Sequence, residues 1–181
     1  MQRNELLRKL KTYSPFDAHE TSMAEKIISF IETHPACFER SLQIGHITGS
    51  SCIVNAMRTK TLLTHHAKLN KWLQPGGHSD GDADILRVAL REALEESGMK
   101  QIVSVTDEIF DVDIHEIPER TNEPAHFHYD IRFLFEADER QPLKISSESK
   151  NLAWVSLSEI QHYTTEESVL RMVRKLSSRT W

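Results

Sequence analysis

Cysteine is scarce in this chain: its 181 residues hold two, Cys37 and Cys52. Two thiols exclude a disulfide framework and a cysteine-based zinc site, and they suit a reducing compartment. Long apolar runs are missing as well, and none approaches the roughly 20 residues that a membrane helix needs. The opening stretch MQRNELLRKLKTYSPF lacks the apolar core of a secretory signal. Positive charge is outnumbered, with 22 Lys+Arg against 27 Asp+Glu and a formal net charge of −5. General nucleic-acid binding wants the opposite balance. What is present is ordinary: 39% hydrophobic and 27% charged residues, the balance of a folded domain. The length suits one domain with an appended element. These features set the expectation of a cytoplasmic protein that neither enters a membrane nor binds nucleic acid in general.

The first forty residues read as helical. Leu6, Leu7 and Leu10 have helical spacing up to Ser14-Pro15. Asp17 is placed to cap a second helix that carries Met23, Ile27, Phe30 and Ile31 on one face and stops at His34-Pro35. That stripe is too apolar to stay exposed, so it should cover the following domain or a second copy in a homodimer. From Gly45 the pattern turns to strands: HITGSSCIVNAM, KTLLTHH, then, after a Pro75-Gly76-Gly77 turn and a helix, QIVSVTDEIFDVDIHEI, HFHYDIRFLFEA and LAWVSL. In the fourth of these, Phe127, Tyr129, Ile131, Phe133 and Phe135 alternate with His126, His128, Asp130 and Arg132, which predicts a core face and a polar face. Trp72 and Trp154 are expected in the core as well. One or two helices close the chain between Leu157 and about Leu176. The organisation is α+β: a helical extension over residues 1–42, then a mixed-sheet domain over 43–178.

The helix predicted over Ile85–Ser97 carries the chemistry. Leu86, Leu90, Ala93 and Leu94 share one face and are expected to turn to the core. Glu92, Glu95 and Glu96 are spaced i, i+3, i+4, so their carboxylates cluster. Glu92 and Glu96 line up with Ile85, Val88 and Ala89 rather than with the wet side. All three acids occupy the last two turns, at the negative end of the macrodipole, where each typically costs about 0.3–1 kcal/mol. Such a cluster calls for a cation, and oxygen donors favour a hard divalent ion such as Mg²⁺ or Mn²⁺. A solvated acidic face with Arg91 paired to Glu95 is the plainer alternative.

The segment GGHSDGDADILRVALREALEESGM resembles the Nudix box, which runs Gly, five residues, Glu, seven residues, Arg-Glu-apolar-any-Glu-Glu-any-Gly-apolar. Gly77 matches the first glycine, and Arg91-Glu92-Ala93, Glu95-Glu96, Gly98 and Met99 match the second half. Ala83 stands where the box has its first glutamate, with Asp82 and Asp84 on either side. KWLQPGGH before the box and AWVSLSEI near the end extend the likeness from about Gly45 to Ile160. The resemblance implies a Nudix fold, a mixed sheet sandwiched between helices. It also implies a metal-dependent pyrophosphohydrolase that cleaves a nucleoside diphosphate linked to another moiety by attack of water on phosphorus. Carried onto this chain, the metal ligands are Glu92, Glu95, Glu96 and the Gly76 carbonyl. Arg91 orients the glutamates; the general base often lies outside the box in that family, and Glu148, in the loop SSESKN, is the candidate here, with Glu95 or Glu96 as substitutes and an ordinary exposed loop acid as the plainer reading of Glu148. The glycine pair is read as a sharp turn that lets backbone approach the metal.

Ten histidines are present, and His65, His66, His78, His126 and His128 fall near this site in sequence. His78, His126, His128 and Arg132 are the expected substrate contacts, the histidines as cations on phosphate; ligation of a transition metal by neutral imidazoles is the other reading. Two rivals stand beside the hydrolase. One is an enzyme resembling isopentenyl diphosphate isomerase, with histidine and glutamate ligands, although Cys52 is not placed as that family's catalytic cysteine is. The other is a nucleotide-binding regulator with a degenerate box, favoured by Ala83 and opposed by the intact glutamates.

Overall fold

The computed structural model describes residues 2–119 and 124–178. Its helices are α1 (Gln2–Thr12), α2 (Ala18–Thr33), α3 (Ile85–Ser97) and α4 (Glu167–Ser178), with a 3-10 turn over Leu157–His162. The strands are β1 (Gly45–Val54), β2 (Lys60–His66), β3 (Trp72–Leu73), β4 (Gly76–His78), β5 (Val103–Ser104), β6 (Asp111–Ile117), β7 (His126–Glu136) and β8 (Ser149–Ser156). Hydrogen bonding follows the path β3-β2-β1-β7-β5, with β4 on β1, β6 on β7 and β8 on β2. Two compact units result. The first comprises Met1–Ser50, Gly77–Ala89 and Asp107–Phe133; the second comprises Ser51–Gly76, Leu90–Thr106 and Leu134–Trp181. Strands β1, β4 and β7 and helix α3 each contribute to both. No helix among the described residues is long and apolar enough to cross a membrane.

In the first unit α2 packs on β6, and α1 packs on α2. The Asp17 side chain caps α2 by accepting from the Glu20 N–H at 2.8 Å, and Met23, Ile27, Phe30 and Ile31 are all buried. The Phe30 ring stacks on Tyr129 with centroids 3.8 Å apart. Glu20 is fully buried because three groups meet it: the Tyr13 hydroxyl donates at 2.6 Å, the Val112 N–H at 3.3 Å, and the Phe16 N–H also donates. All ten residues of β1 are buried, as expected of a strand covered on both faces. Gly49 lets α3 approach β1, since a Cβ there would meet Ile85 Cγ2 and the Ile85 carbonyl oxygen at 3.0 Å.

The second unit is built on β2 and β8, antiparallel from Lys60↔Ser156 to His66↔Ser149 with an irregularity at His65/His66. Gly98 ends α3 with φ +67°, and its N–H donates to the Leu94 carbonyl at 2.9 Å, the left-handed stop that glycine favours.

Several expectations change. The run QIVSVTDEIFDVDIHEI is not one strand: β5 and β6 are separated by bends around Asp107 and Glu108. Gly76 and Gly77 are strand residues, and the glycines with left-handed φ are Gly45, Gly81 and Gly98; the turn argument for the pair therefore fails. On β7 the alternation does not sort a dry face from a wet one. Phe127 is 42% exposed, whereas His126, Asp130 and Arg132 are buried. Trp72 and Trp154 are half-buried. The buried arc of α3 is Ile85, Val88, Ala89, Ala93 and Glu96, while Leu86, Leu90 and Leu94 are half-buried.

Candidate active site

Within the second unit, the C-terminal half of α3 presents its acids differently. Glu96 is 7% exposed, and its Oε1 accepts from the Gly76 N–H at 2.8 Å. Glu92 is half-buried, with the Arg91 Nη2 2.9 Å from its Oε1, and Glu95 is exposed. The arginine expected to orient the glutamates thus pairs with Glu92, not with Glu95. Burial pushes the Glu96 carboxyl up to about 7; the Glu92 and Glu148 charges push the same way, against the Gly76 N–H and the Thr64 hydroxyl. Glu148 is exposed in the loop before β8, and its carbonyl accepts from the Ala67 N–H at 2.8 Å. Glu92, Glu96, Glu148 and Gly76 therefore meet in one electrostatic neighbourhood.

These residues fit a hard divalent cation. The donors are carboxylate and backbone oxygens, and a carboxyl raised to about 7 by burial, with neighbouring acids adding to the shift, marks where added positive charge is stabilising. The aspartates flanking Ala83 belong to the first unit and have other engagements. Arg87 holds Asp82 through Nε at 2.9 Å and Nη2 at 2.8 Å, and Asp84 accepts from the Arg87 N–H at 3.2 Å. In the second unit, His65 stacks on Trp72 with ring centroids 4.9 Å apart, and His66 Nδ1 accepts from the Leu69 N–H.

The other predicted residues lie in the first unit. Arg132 is 1% exposed, with Nε 2.7 Å from Asp130, Nη1 3.1 Å from Asp111 and Nη2 3.2 Å from Asp113. Thr48 and Ser50 hydroxyls donate to the other Asp130 oxygen, each at 2.8 Å. Burial works to lower the Arg132 pKa, but the carboxylates of Asp113, Asp130 and Asp111 outweigh it and raise it. An arginine closed in this way is not available to substrate, contrary to the expectation from sequence.

His78 and His128 depart from expectation in charge. Burial lowers His128 to about 2 and His78 to about 4, helped in His128 by His115 and the other imidazoles and in His78 by Arg40 and His46. Both are neutral at physiological pH, and the reading of them as phosphate-binding cations is corrected accordingly. They gather with His46, which the sequence reading passed over: the His46 ring centroid lies 4.9 Å from those of His78 and His128 and 5.0 Å from that of His126. His115 is a fifth member, 5.3 Å from His128. The missed signal was the matched alternation of β6 and β7. Their register sets Asp111 opposite Arg132, Asp113 opposite Asp130 and His115 opposite His128. Cys37 and Cys52 are buried, and burial raises the Cys37 thiol to about 11, so neither is poised for catalysis.

Comparison with known proteins agrees with this architecture. The model of the NUDIX domain matches residues 45–176. No curated protein matches the chain, but solved structures do. An Ap4A hydrolase from C. elegans aligns with TM-score 0.58 at 18% identity, over 73% of this chain and 95% of its own. A NUDIX family hydrolase from Clostridium perfringens aligns with TM-score 0.54 at 25% identity, over 73% and 96%. A bifunctional NMN adenylyltransferase/ADP ribose pyrophosphatase from Francisella tularensis aligns with TM-score 0.53 at 16% identity, over 87% of this chain and 47% of its own. With the box on α3, the mixed sheet of the fold and a family match over most of its length, the chain belongs to the Nudix family and is a Nudix-type hydrolase acting on phosphoric anhydride bonds.

Proposed function

We propose that this chain is a divalent-metal-dependent pyrophosphohydrolase whose substrate is a nucleoside diphosphate linked to a second moiety. The observation that carries the reading is the buried Glu96, held by the Gly76 N–H among the charges of Glu92 and Glu148. Glu92, Glu95, Glu96 and the Gly76 carbonyl would hold Mg²⁺ or Mn²⁺. Once bound, such an ion supplies charge stabilisation at the phosphoryl oxygens and lowers the pKa of nearby water. Its charge also answers a difficulty of composition: a protein of net charge −5 has no general attraction for a polyanion.

The chain's own residues then divide the work. Arg91 holds Glu92 in place through the 2.9 Å pair, and the Gly76 amide fixes Glu96. Glu148 accepts the proton of the water that attacks phosphorus. Its exposed loop position leaves it free to reach the attacking water, whereas one oxygen of Glu96 is already engaged. The phosphoryl–oxygen bond to the leaving phosphate breaks, and water supplies both the new P–O bond and the proton that Glu148 takes. Dinucleoside polyphosphates and ADP-ribose head the substrate panel, because structural relatives act on Ap4A and ADP-ribose. The test is product release from that panel with Mg²⁺ or Mn²⁺. Turnover that requires the ion and falls at least tenfold in Glu148→Gln supports the reading; turnover that is independent of the ion refutes it.

A further inference from the structure

The histidines of the first unit raise a question that pyrophosphate hydrolysis does not answer. His46 on β1, His78 on β4 and His128 on β7 bring one ring nitrogen each to within 4.8 Å of the others. His46 is 2% exposed, and the other two are half-buried. The ring pairs His46–His78, His46–His128 and His78–His128 all have centroids 4.9 Å apart, so the three form a near-equilateral group with their contacts on every side. Three imidazoles on three strands, converging in a protein interior, are unusual for packing alone: each gives up hydration, and none brings a charge that would compensate the others.

We propose that His46, His78 and His128 form a binding site for a transition-metal ion of the zinc type, built from residues other than the Nudix-box glutamates. The donors are soft enough for Zn²⁺ and unlike the oxygen ligands that Mg²⁺ requires. A tetrahedral ion with bonds of about 2.0–2.1 Å sets its ligand nitrogens roughly 3.3 Å apart. Starting from separations of up to 4.8 Å, each ring moves inward by under an ångström or so, which side-chain rotation supplies without a change of backbone. Three protein nitrogens leave a fourth position for water or a ligand, the pattern of an open site.

The surroundings supply orientation. His126 Nδ1 lies 2.9 Å from the Pro124 carbonyl, to which it donates. His126 Nε2 lies 3.2 Å from His128 Nε2, a hydrogen bond that orients the His128 ring. A second partner that fixes tautomer and ring plane is what metal-bound histidines commonly have. Across the cluster, Arg40 Nη2 donates to His78 Nδ1 at 2.8 Å. Ligation through His78 Nε2 places a proton on Nδ1 and breaks that contact. Arg40 is largely exposed and already paired with Asp80 at 3.0 Å, so it can withdraw.

The test is a Co²⁺ titration of the full chain, stripped with EDTA, followed by visible absorption. Co²⁺ in a low-coordinate nitrogen site gives a strong ligand-field band, whereas an oxygen-rich octahedral site gives a weak one. We expect one equivalent per chain with a strong band, displaced by Zn²⁺. His78→Gln and His128→Gln should each weaken Co²⁺ affinity at least tenfold and abolish the band, with unchanged far-UV circular dichroism. These half-buried positions carry the test even where His46→Asn fails to fold. The Glu92→Gln/Glu96→Gln double variant should keep the band, which separates this site from the proposed catalytic one. Absence of a strong band in the wild type, its persistence in both histidine variants, or its loss in the glutamate double variant overturns the proposal.

Discussion

Glu96→Gln should stabilise the metal-free protein while it destroys activity, and the size of the gain follows from the carboxyl's surroundings. Burial, with Glu92 and Glu148 nearby, raises the Glu96 pKa from 4.5 to about 7 in the folded chain. Below pH 4.5 the acid is protonated whether the chain is folded or unfolded, and the native state carries no penalty. Between 4.5 and 7 the unfolded chain releases its proton first, so stability falls as pH rises; above 7 the deficit is constant. A shift from 4.5 to about 7 corresponds to roughly 3 kcal/mol at 1.36 kcal/mol per pKa unit. Glutamine is close to isosteric, keeps an oxygen for the Gly76 N–H and carries no charge. Urea unfolding of wild type and variant, stripped of divalent ions, should therefore agree at pH 4 and diverge by up to about 3 kcal/mol in favour of the variant at pH 8. Saturating Mg²⁺ should restore the wild type and leave the variant unchanged, because a ligand that binds only the native state stabilises it. Other carboxylates titrate in both proteins and cancel in the difference. A variant that is no more stable than wild type at pH 8, or a difference that does not vary with pH, would refute the reasoning.

Other perturbations probe the rest of the molecule. Glu92→Gln should lower kcat at least tenfold with little change in Tm, while Ala83→Glu should fold normally and keep or raise kcat; an Ala83→Glu enzyme that turns over more slowly would count against the box alignment. Arg132→Met should cost about 3–5 kcal/mol in urea unfolding, because it leaves the buried carboxylates of Asp111, Asp113 and Asp130 without their counter-ion; near-wild-type stability would contradict the description of that cluster. Phe30→Ala removes a ring stacked on Tyr129 and should cost about 3–5 kcal/mol. Deletion of residues 1–38 should cause aggregation or a marked fall in Tm, and a soluble, equally stable product would show that the N-terminal helices do not complete the first unit.

The sequence by itself determined whatever depends on local pattern. Helix α3 has the bounds Ile85–Ser97 that periodicity and Gly98 mark out, because a 3.6-residue repeat and a left-handed stop are properties of a short segment. The Asp17 cap, the buried stripe of α2 and the strand Lys60–His66 were legible for the same reason. So was the family, since the box fixes residue types at fixed spacing. Tertiary structure decided which groups lose water and which partners they then meet. Which arc of α3 is buried was settled by Gly49, whose missing Cβ lets Ile85 and Ala89 close on β1. Arg132 looked like a strand residue on a wet face; the register of β6 against β7 turned it into a buried ion cluster with acids about twenty positions away. The fate of the histidines was decided in the same manner. His46, His78 and His128 are separated by dozens of residues, and only the convergence of β1, β4 and β7 makes them neighbours. Burial then holds His78 and His128 neutral, because desolvation is a property of the assembled interior and not of any stretch of chain.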